Sequence, residues 1–201
     1  MKQKSVAVVG AAETTRMGKI PDQSVIGLHA DAALNAMADA GLKPSDIDGV
    51  ATAGISPVEL AYYMGITPTY ADGTSVGGCS FMLHVRHAAA AINEGLCNTV
   101  LITHGESGRS RVGAGRFGAS PSSLPGQFEM PYGPMGPPTM FTIPVLRYLK
   151  TRGYSVEDLA NVAVIQREWA ALNPRASFKD PLTVADVLAS DMIAWPFTKL
   201  M

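Results

Sequence analysis

Cysteine is scarce in this chain of 201 residues: Cys79 and Cys97 are the only two. Two thiols build neither a disulfide framework nor a four-ligand zinc site, and free thiols suit a reducing cytoplasm. A basic excess is missing too. The formal net charge is −1, so no cationic field argues for nucleic acid or an anionic membrane as the main partner. Nor does any run approach the roughly 20 apolar residues of a membrane span. After Met1-Lys2-Gln3-Lys4 comes Val6-Ala7-Val8-Val9, too short for the core of a signal peptide and closed by Gly10. These absences lead to the expectation of a cytoplasmic protein.

What is present is a globular, core-forming composition, 47% hydrophobic and 16% charged. The length suffices for one sizeable domain or two small ones. Residues 5–10 form a continuous apolar run that predicts a strand buried on both faces. Ser24 is an N-cap candidate, followed by Val25, Leu28, Ala32, Ala36, Met37 and Ala40 at helical spacing and a stop at Gly41. Strands are expected over Asp48–Ala53, Thr69–Val76 and Asn98–Thr103, and helices over Pro57–Met64 and Phe81–Asn93. This β/α alternation with short connections is the pattern of a parallel sheet covered by helices.

The texture changes after Glu106. From Ser107 to Pro138 the chain is dense in Gly, Pro and Ser and lacks apolar periodicity. Arg109, Arg111 and Arg116 cluster in this stretch, which is read as a long excursion. Helical pattern returns over Thr139–Thr151 and again from Ser155, where Ser155-Val156-Glu157-Asp158 has the form of a capping box, to Ala171. A further short helix opens at Thr183.

Four segments together resemble the thiolase superfamily, in particular the lipid-transfer-protein-type thiolases related to the thiolase domain of sterol carrier protein X. They are Gly77-Gly78-Cys79-Ser80-Phe81 leading into His84–Ile92; Gly95–Ile102; Arg147-Tyr148-Leu149 through Glu157–Ala160; and Ala171–Ala176 with Asp180–Val184 and Asp186–Ser190. The resemblance covers nearly the whole chain. It implies an α/β thiolase-like fold, layered α-β-α-β-α, of which this chain is the N-terminal half with an inserted loop domain. The implied boundaries are 1–105 for the core, 106–194 for the insertion, and 195–201 for a return to the core before its last strand.

The resemblance further implies coenzyme A thioester chemistry with the acyl-CoA as substrate, and no separate cofactor. The leading expectation is an acyltransferase performing Claisen condensation or thiolytic cleavage. One alternative is retro-aldol cleavage of a β-hydroxyacyl-CoA with an OB-fold partner. Another is a non-catalytic subunit, paired with zinc-ribbon or OB-fold proteins, or a truncated fragment. A homodimer is implied through pairing of the strand Tyr70–Ser75.

Thiolases take the acyl group on a cysteine at the start of a buried helix, where the N-terminal partial charge favours thiolate. Cys79 stands at such a place and is the catalytic candidate; the alternative is a small buried residue at a strand-to-helix turn. The family motif has Asn three residues earlier and small residues after the cysteine. Here Val76, Ser80, Phe81 and Met82 occupy those positions, and an ungapped count back from Val100 puts the family cysteine at Gly78.

Ser80, His104, Arg109 and Met135 are the substrate-binding candidates. His104 closes a strand of a parallel sheet, where α/β sites form. The loop arginines either meet coenzyme A phosphates or form a solvated surface. Tyr132, Met135, Met140 and Phe141 either line an acyl or sterol tunnel or make subdomain core. His84 and His87 share a helix face, but no third ligand is evident, so no metal is expected and buried, hydrogen-bonded imidazoles are the alternative. Cys97 is read as structural.

Overall fold

A computed structural model describes residues 6–113, 119–133 and 136–201. The chain forms two units, Met1–Ala114 and Gly115–Met201. The first is built on a three-stranded parallel sheet of β1 (Gly49–Thr52), β2 (Tyr70–Asp72) and β3 (Val100–Thr103), in the order β2-β1-β3. Gly49 of β1 registers with Tyr70 on one side and with Val100 on the other. The Asp48 carboxylate fastens the start of this ladder, accepting the backbone N–H groups of Asn98 and Thr99 and the Asn98 side chain. Burial works against its ionisation, but these donors outweigh that and hold its pKa below the usual carboxylate value.

Three helices accompany the sheet: α1 (Val25–Ala40), α2 (Pro57–Met64) and α3 (Ser80–Asn93). The Ser24 hydroxyl caps α1 by accepting Gly27 N–H, and Gly41 ends it in the left-handed region. The Ser56 hydroxyl caps α2, with Pro57 in its first turn and Gly65 as its left-handed stop. The core joins Ala33 and Met37 of α1, Leu60 and Ala61 of α2, and Val50 and Leu101 of the sheet with Ile47 and Ile66. Fully buried side chains such as Leu60 each contribute about 1.5–3 kcal/mol.

The expected strand at 5–10 is not formed within the described residues. β1 already has β2 and β3 on its two sides, and residues 6–10 join no ladder. Val6, Val8 and Val9 are 41%, 77% and 65% exposed. The segment is held by α1 instead. A Cβ on Gly10 would lie 2.4 Å from the Ala36 carbonyl oxygen, and Asp39 and Asp31 accept the N–H groups of Ala11 and Thr15. The apolar pattern marks a segment able to be a buried strand; here its peptide groups find partners on α1 instead. The strand expected over Thr69–Val76 is shorter, because Thr74 turns back to donate its N–H and hydroxyl to Asp72 Oδ1.

The excursion also has more structure than expected. Ser107 and Val112 form an antiparallel bridge around a 3₁₀ turn at Gly108–Ser110. Gly18 O accepts the Ser107 hydroxyl and Ser110 Oγ accepts Ile20 N–H, so this portion is tied into the first unit.

The second unit contains α4 (Leu124–Phe128), a 3₁₀ turn at Met130–Tyr132, α5 (Pro137–Met140), α6 (Thr142–Arg152), α7 (Val156–Leu172) and α8 (Val184–Ala189). Capping boxes start α7 (Ser155 with Asp158) and α8 (Thr183 with Asp186). The chain then makes an antiparallel pair of β4 (Met192–Ala194) and β5 (Phe197–Thr198). The Thr198 hydroxyl donates to Val187 O of α8, so residues 195–201 lie with this unit.

Candidate functional site

Parallel strands deliver their C-terminal ends to one edge of the sheet, and the loops leaving that edge carry the chemistry in α/β folds. Here these loops follow Thr52, Asp72 and Thr103. The loop after β2 turns at Gly77, whose φ of +88° suits glycine, and delivers Cys79 as the N-cap of α3. Cys79 is exposed, so the alternative of a small buried residue does not describe it. Its thiol donates weakly to Val76 O at 3.8 Å. Ser80 is buried: its hydroxyl donates to Gly77 O and accepts Val76 N–H, bracing the turn that presents Cys79.

Two turns of α3 bring His84 and His87 to the Asp72–Thr74 turn. His84 is fully buried and its Nε2–H donates to Thr74 O at 2.9 Å, while Nδ1 has no partner. His87 is half-buried and its Nδ1 meets Asp72 Oδ2 at 2.7 Å. Burial raises the Asp72 pKa, but the Thr74 hydroxyl and N–H, His87 and the nearby His84 outweigh it and bring it to about 2. Among the described residues no three His, Cys, Asp or Glu side chains are grouped to hold a metal ion.

The third cluster surrounds His104, just past β3. Its Nε2 lies 3.5 Å from Glu106 Oε1. The Phe81 ring of α3 tilts against it at 4.7 Å between centroids, and His29 of α1 meets it edge-on at 6.2 Å. Phe81 also meets His84 at 5.9 Å. His29 is buried with Nδ1 2.7 Å from Thr103 Oγ1. Burial and then repulsion from His104 push its pKa down to about 4. Through Phe81, two residues beyond Cys79, the structure brings Cys79, Ser80 and His104 to one end of α3. Arg109 is exposed in the 3₁₀ turn, and Arg111 is exposed at φ 59°. Arg116 and Met135 lie outside the described residues. Cys97 is buried, its thiol pKa pushed up by burial and by Asp48.

The reading of the sequence missed His29, Asp72 and Glu106. Asp72 carried a signal, the Asp-Gly-Thr turn that ends β2. His29 had little, since one histidine beside Leu28 on an apolar helix does not announce its partner in a strand far along the chain. In the second unit an apolar cleft of about 370 Å³ is lined by Pro137, Pro138, Phe141, Ile193, Phe197 and Met201, with Thr198 and Lys199. Phe141 thus lines a cleft, and it, Tyr132 and Met140 are all exposed and form no core.

No family model matches the chain. It is 31% identical over 214 residues to the 17-hydroxy-3-oxo-4-pregnene-20-carboxyl-CoA lyase of Mycobacterium tuberculosis, covering 100% of this chain and 54% of that protein. It is 28% identical over 207 residues to an acetyl-CoA acetyltransferase of Methanothermobacter thermautotrophicus, covering 98% and 53%. Among solved structures, an Ltp2–ChsH2(DUF35) aldolase matches with a TM-score of 0.84 and 30% identity, over 96% of this chain and 51% of that one. A monomeric SCP2-thiolase-like protein type 1 from Mycobacterium smegmatis matches in fold, with a TM-score of 0.68 and 24% identity over 94% and 40%. The fold is therefore α/β and thiolase-like. The chain belongs to the thiolase superfamily, and it spans about half the length of the curated relatives it matches. No helix among the described residues is long and apolar enough to cross a membrane.

Proposed function

We propose that the protein acts on a coenzyme A thioester and breaks a carbon–carbon bond by retro-aldol chemistry. The observation that carries this reading is the match, at a TM-score of 0.84, to an aldolase, joined by 31% identity to a steroid-CoA lyase. The geometry at Cys79 is compatible with it. The thiol's described hydrogen bond is to a carbonyl oxygen, whereas a cysteine nucleophile is ordinarily activated by an adjacent base. In a retro-aldol step a base takes the β-hydroxyl proton and a carbonyl forms at Cβ. The Cα–Cβ electron pair passes into the thioester enolate, and a proton returned to Cα releases a shorter acyl-CoA. No acyl-enzyme is needed.

A second reading is thiolysis or Claisen condensation through Cys79. It is favoured by the exposed thiol at the N-terminus of a 14-residue helix. Arg109 is proposed to meet the coenzyme A phosphates in either case, and Ser80 to shape the turn beside the thioester. Met135 remains a proposed substrate contact. The aldolase neighbour is an Ltp2–ChsH2(DUF35) aldolase, which supports a partner subunit, of OB-fold type in this proposal. A homodimer through the outer edge of β2 is the proposed self-association.

The test combines product analysis with intact mass. The natural full-length protein, with and without its partner, is mixed with 17-hydroxy-3-oxo-4-pregnene-20-carboxyl-CoA and separately with acetyl-CoA. Ketone plus a shorter acyl-CoA, with no mass added to the protein, is the expected result. An acyl adduct mapped to Cys79 moves the assignment to thiolysis. Neither product nor adduct makes it a non-catalytic subunit.

A further inference from the structure

The retro-aldol reading requires a residue that takes a proton from the β-hydroxyl and gives one back at Cα. We propose that His104 is that acid–base residue, with Glu106 and His29 as its positioning residues. The assignment rests on the retro-aldol reading and adds to it the identity of the base.

Four observations converge on this imidazole. First, it follows directly on β3 at the C-terminal end of the parallel sheet, the edge at which α/β proteins bind their ligands. Second, its side chain is 46% exposed, so a substrate hydroxyl can reach it. Third, Glu106 Oε1 sits 3.5 Å from Nε2. A carboxylate there favours the tautomer with hydrogen on Nε2, which leaves Nδ1 as the proton-accepting atom.

Fourth, the ring is held from two helices. Phe81 of α3 tilts against it at 4.7 Å and His29 of α1 meets it at 6.2 Å. The backbone that carries it is pressed onto α1: a Cβ on Gly105 would come 2.6 Å from the His29 backbone nitrogen. His29 is in turn fastened by its Nδ1 to Thr103 Oγ1 at 2.7 Å. Such support from packing and a second layer of hydrogen bonds is what holds an acid–base group in productive geometry. The titratable groups around the ring are His29 on α1, Glu106 in its own loop and, beyond Phe81, His84 on α3. With its pKa at about 4, His29 is neutral at physiological pH. The imidazolium of His104 therefore forms without facing a second cation.

The step balances on this one residue. His104 Nδ1 accepts the β-hydroxyl proton as the Cα–Cβ bond breaks and its electron pair enters the thioester enolate. The same Nδ1–H then protonates Cα. The imidazole ends neutral, and no oxidant, reductant or co-reactant is consumed.

The experiment uses the natural full-length protein with its partner and the same steroid thioester. His104→Ala is expected to lower kcat by about 10²–10⁴-fold with KM within a few-fold. Free imidazole is expected to restore part of the loss, and the acid limb of the kcat/KM profile is expected to disappear. Glu106→Ala is expected to lower kcat by less than His104→Ala does, with KM within a few-fold, and Glu106→Gln, which still accepts from Nε2–H, is expected to recover part of that loss. Circular dichroism and melting of His104→Ala matched to the parent keep a folding defect from imitating the result. Cleavage by the parent with His104→Ala within threefold of it overturns the assignment alone. So does a loss that imidazole does not rescue and that leaves the acid limb unmoved. No cleavage by the parent overturns the retro-aldol reading, and the assignment falls with it.

Discussion

Asp72 ends β2, turns the chain by accepting from Thr74, and fixes the His87 ring through Nδ1. Its folded pKa of about 2 lies below its unfolded value. The stability it contributes is therefore complete above about pH 4 and is lost as pH falls from there through about 2. Asp72→Asn is expected to destabilise by about 1–3 kcal/mol near neutrality. Urea midpoints of parent and variant should converge toward pH 2, and a gap independent of pH would contradict the account. His29 has a depressed pKa of the opposite charge type. As pH falls below about 6.5 the unfolded chain takes up its proton first, so stability present in full above that value declines until about 4, by roughly 3 kcal/mol in all. His29→Gln should flatten the stability curve over that window. Identical slopes in both proteins would remove His29 as the cause. Asp72 was announced only by its Asp-Gly-Thr turn, and His29 was not legible beforehand, because it acts through Thr103 on a different element.

At the scale of elements, helix ends were the most legible features. Ser24, Gly41, Ser155 and the stop at Gly65 act where their local chemistry predicts, since a cap is satisfied within a few residues. Ser155→Ala should cost about 1 kcal/mol, read as a shift of the urea midpoint, because the hydroxyl accepts Asp158 N–H. A shift under a few tenths would show that the capping box is idle. Ladders were less legible. β1 and β3 follow from apolar runs bounded by turns, but 6–10 carries the same pattern and lies along α1. The difference is which neighbour the segment's peptide groups meet, here the carboxylates of α1, which apolar pattern does not encode. The short helices of 108–140 were hidden for the opposite reason, being too short to show a period. Around His104 the strand end was readable, while the approach of α1 and α3 was a product of packing.

Assembly is where the whole molecule tests its own edges. β2 pairs with β1 on one side, and on the other carries no ladder among the described residues. Tyr70 N–H points inward, to Asp48 O. Successive N–H groups alternate along a strand, so Ala71 N–H points away from the sheet, on an exposed residue. An open row of this kind either pairs with a copy of itself or must be kept from doing so. The proposed homodimer uses it. Ala71→Pro removes the outward donor and leaves the bonds to β1 intact, because proline is tolerated at edges. The full-length parent should then run as a dimer in light scattering and Ala71→Pro as a monomer, with melting temperatures measured well above the dissociation constant differing only by the lost association. If the parent is monomeric, the β2 edge is protected by other means. If the variant stays dimeric, the subunits meet elsewhere and the edge is not the interface.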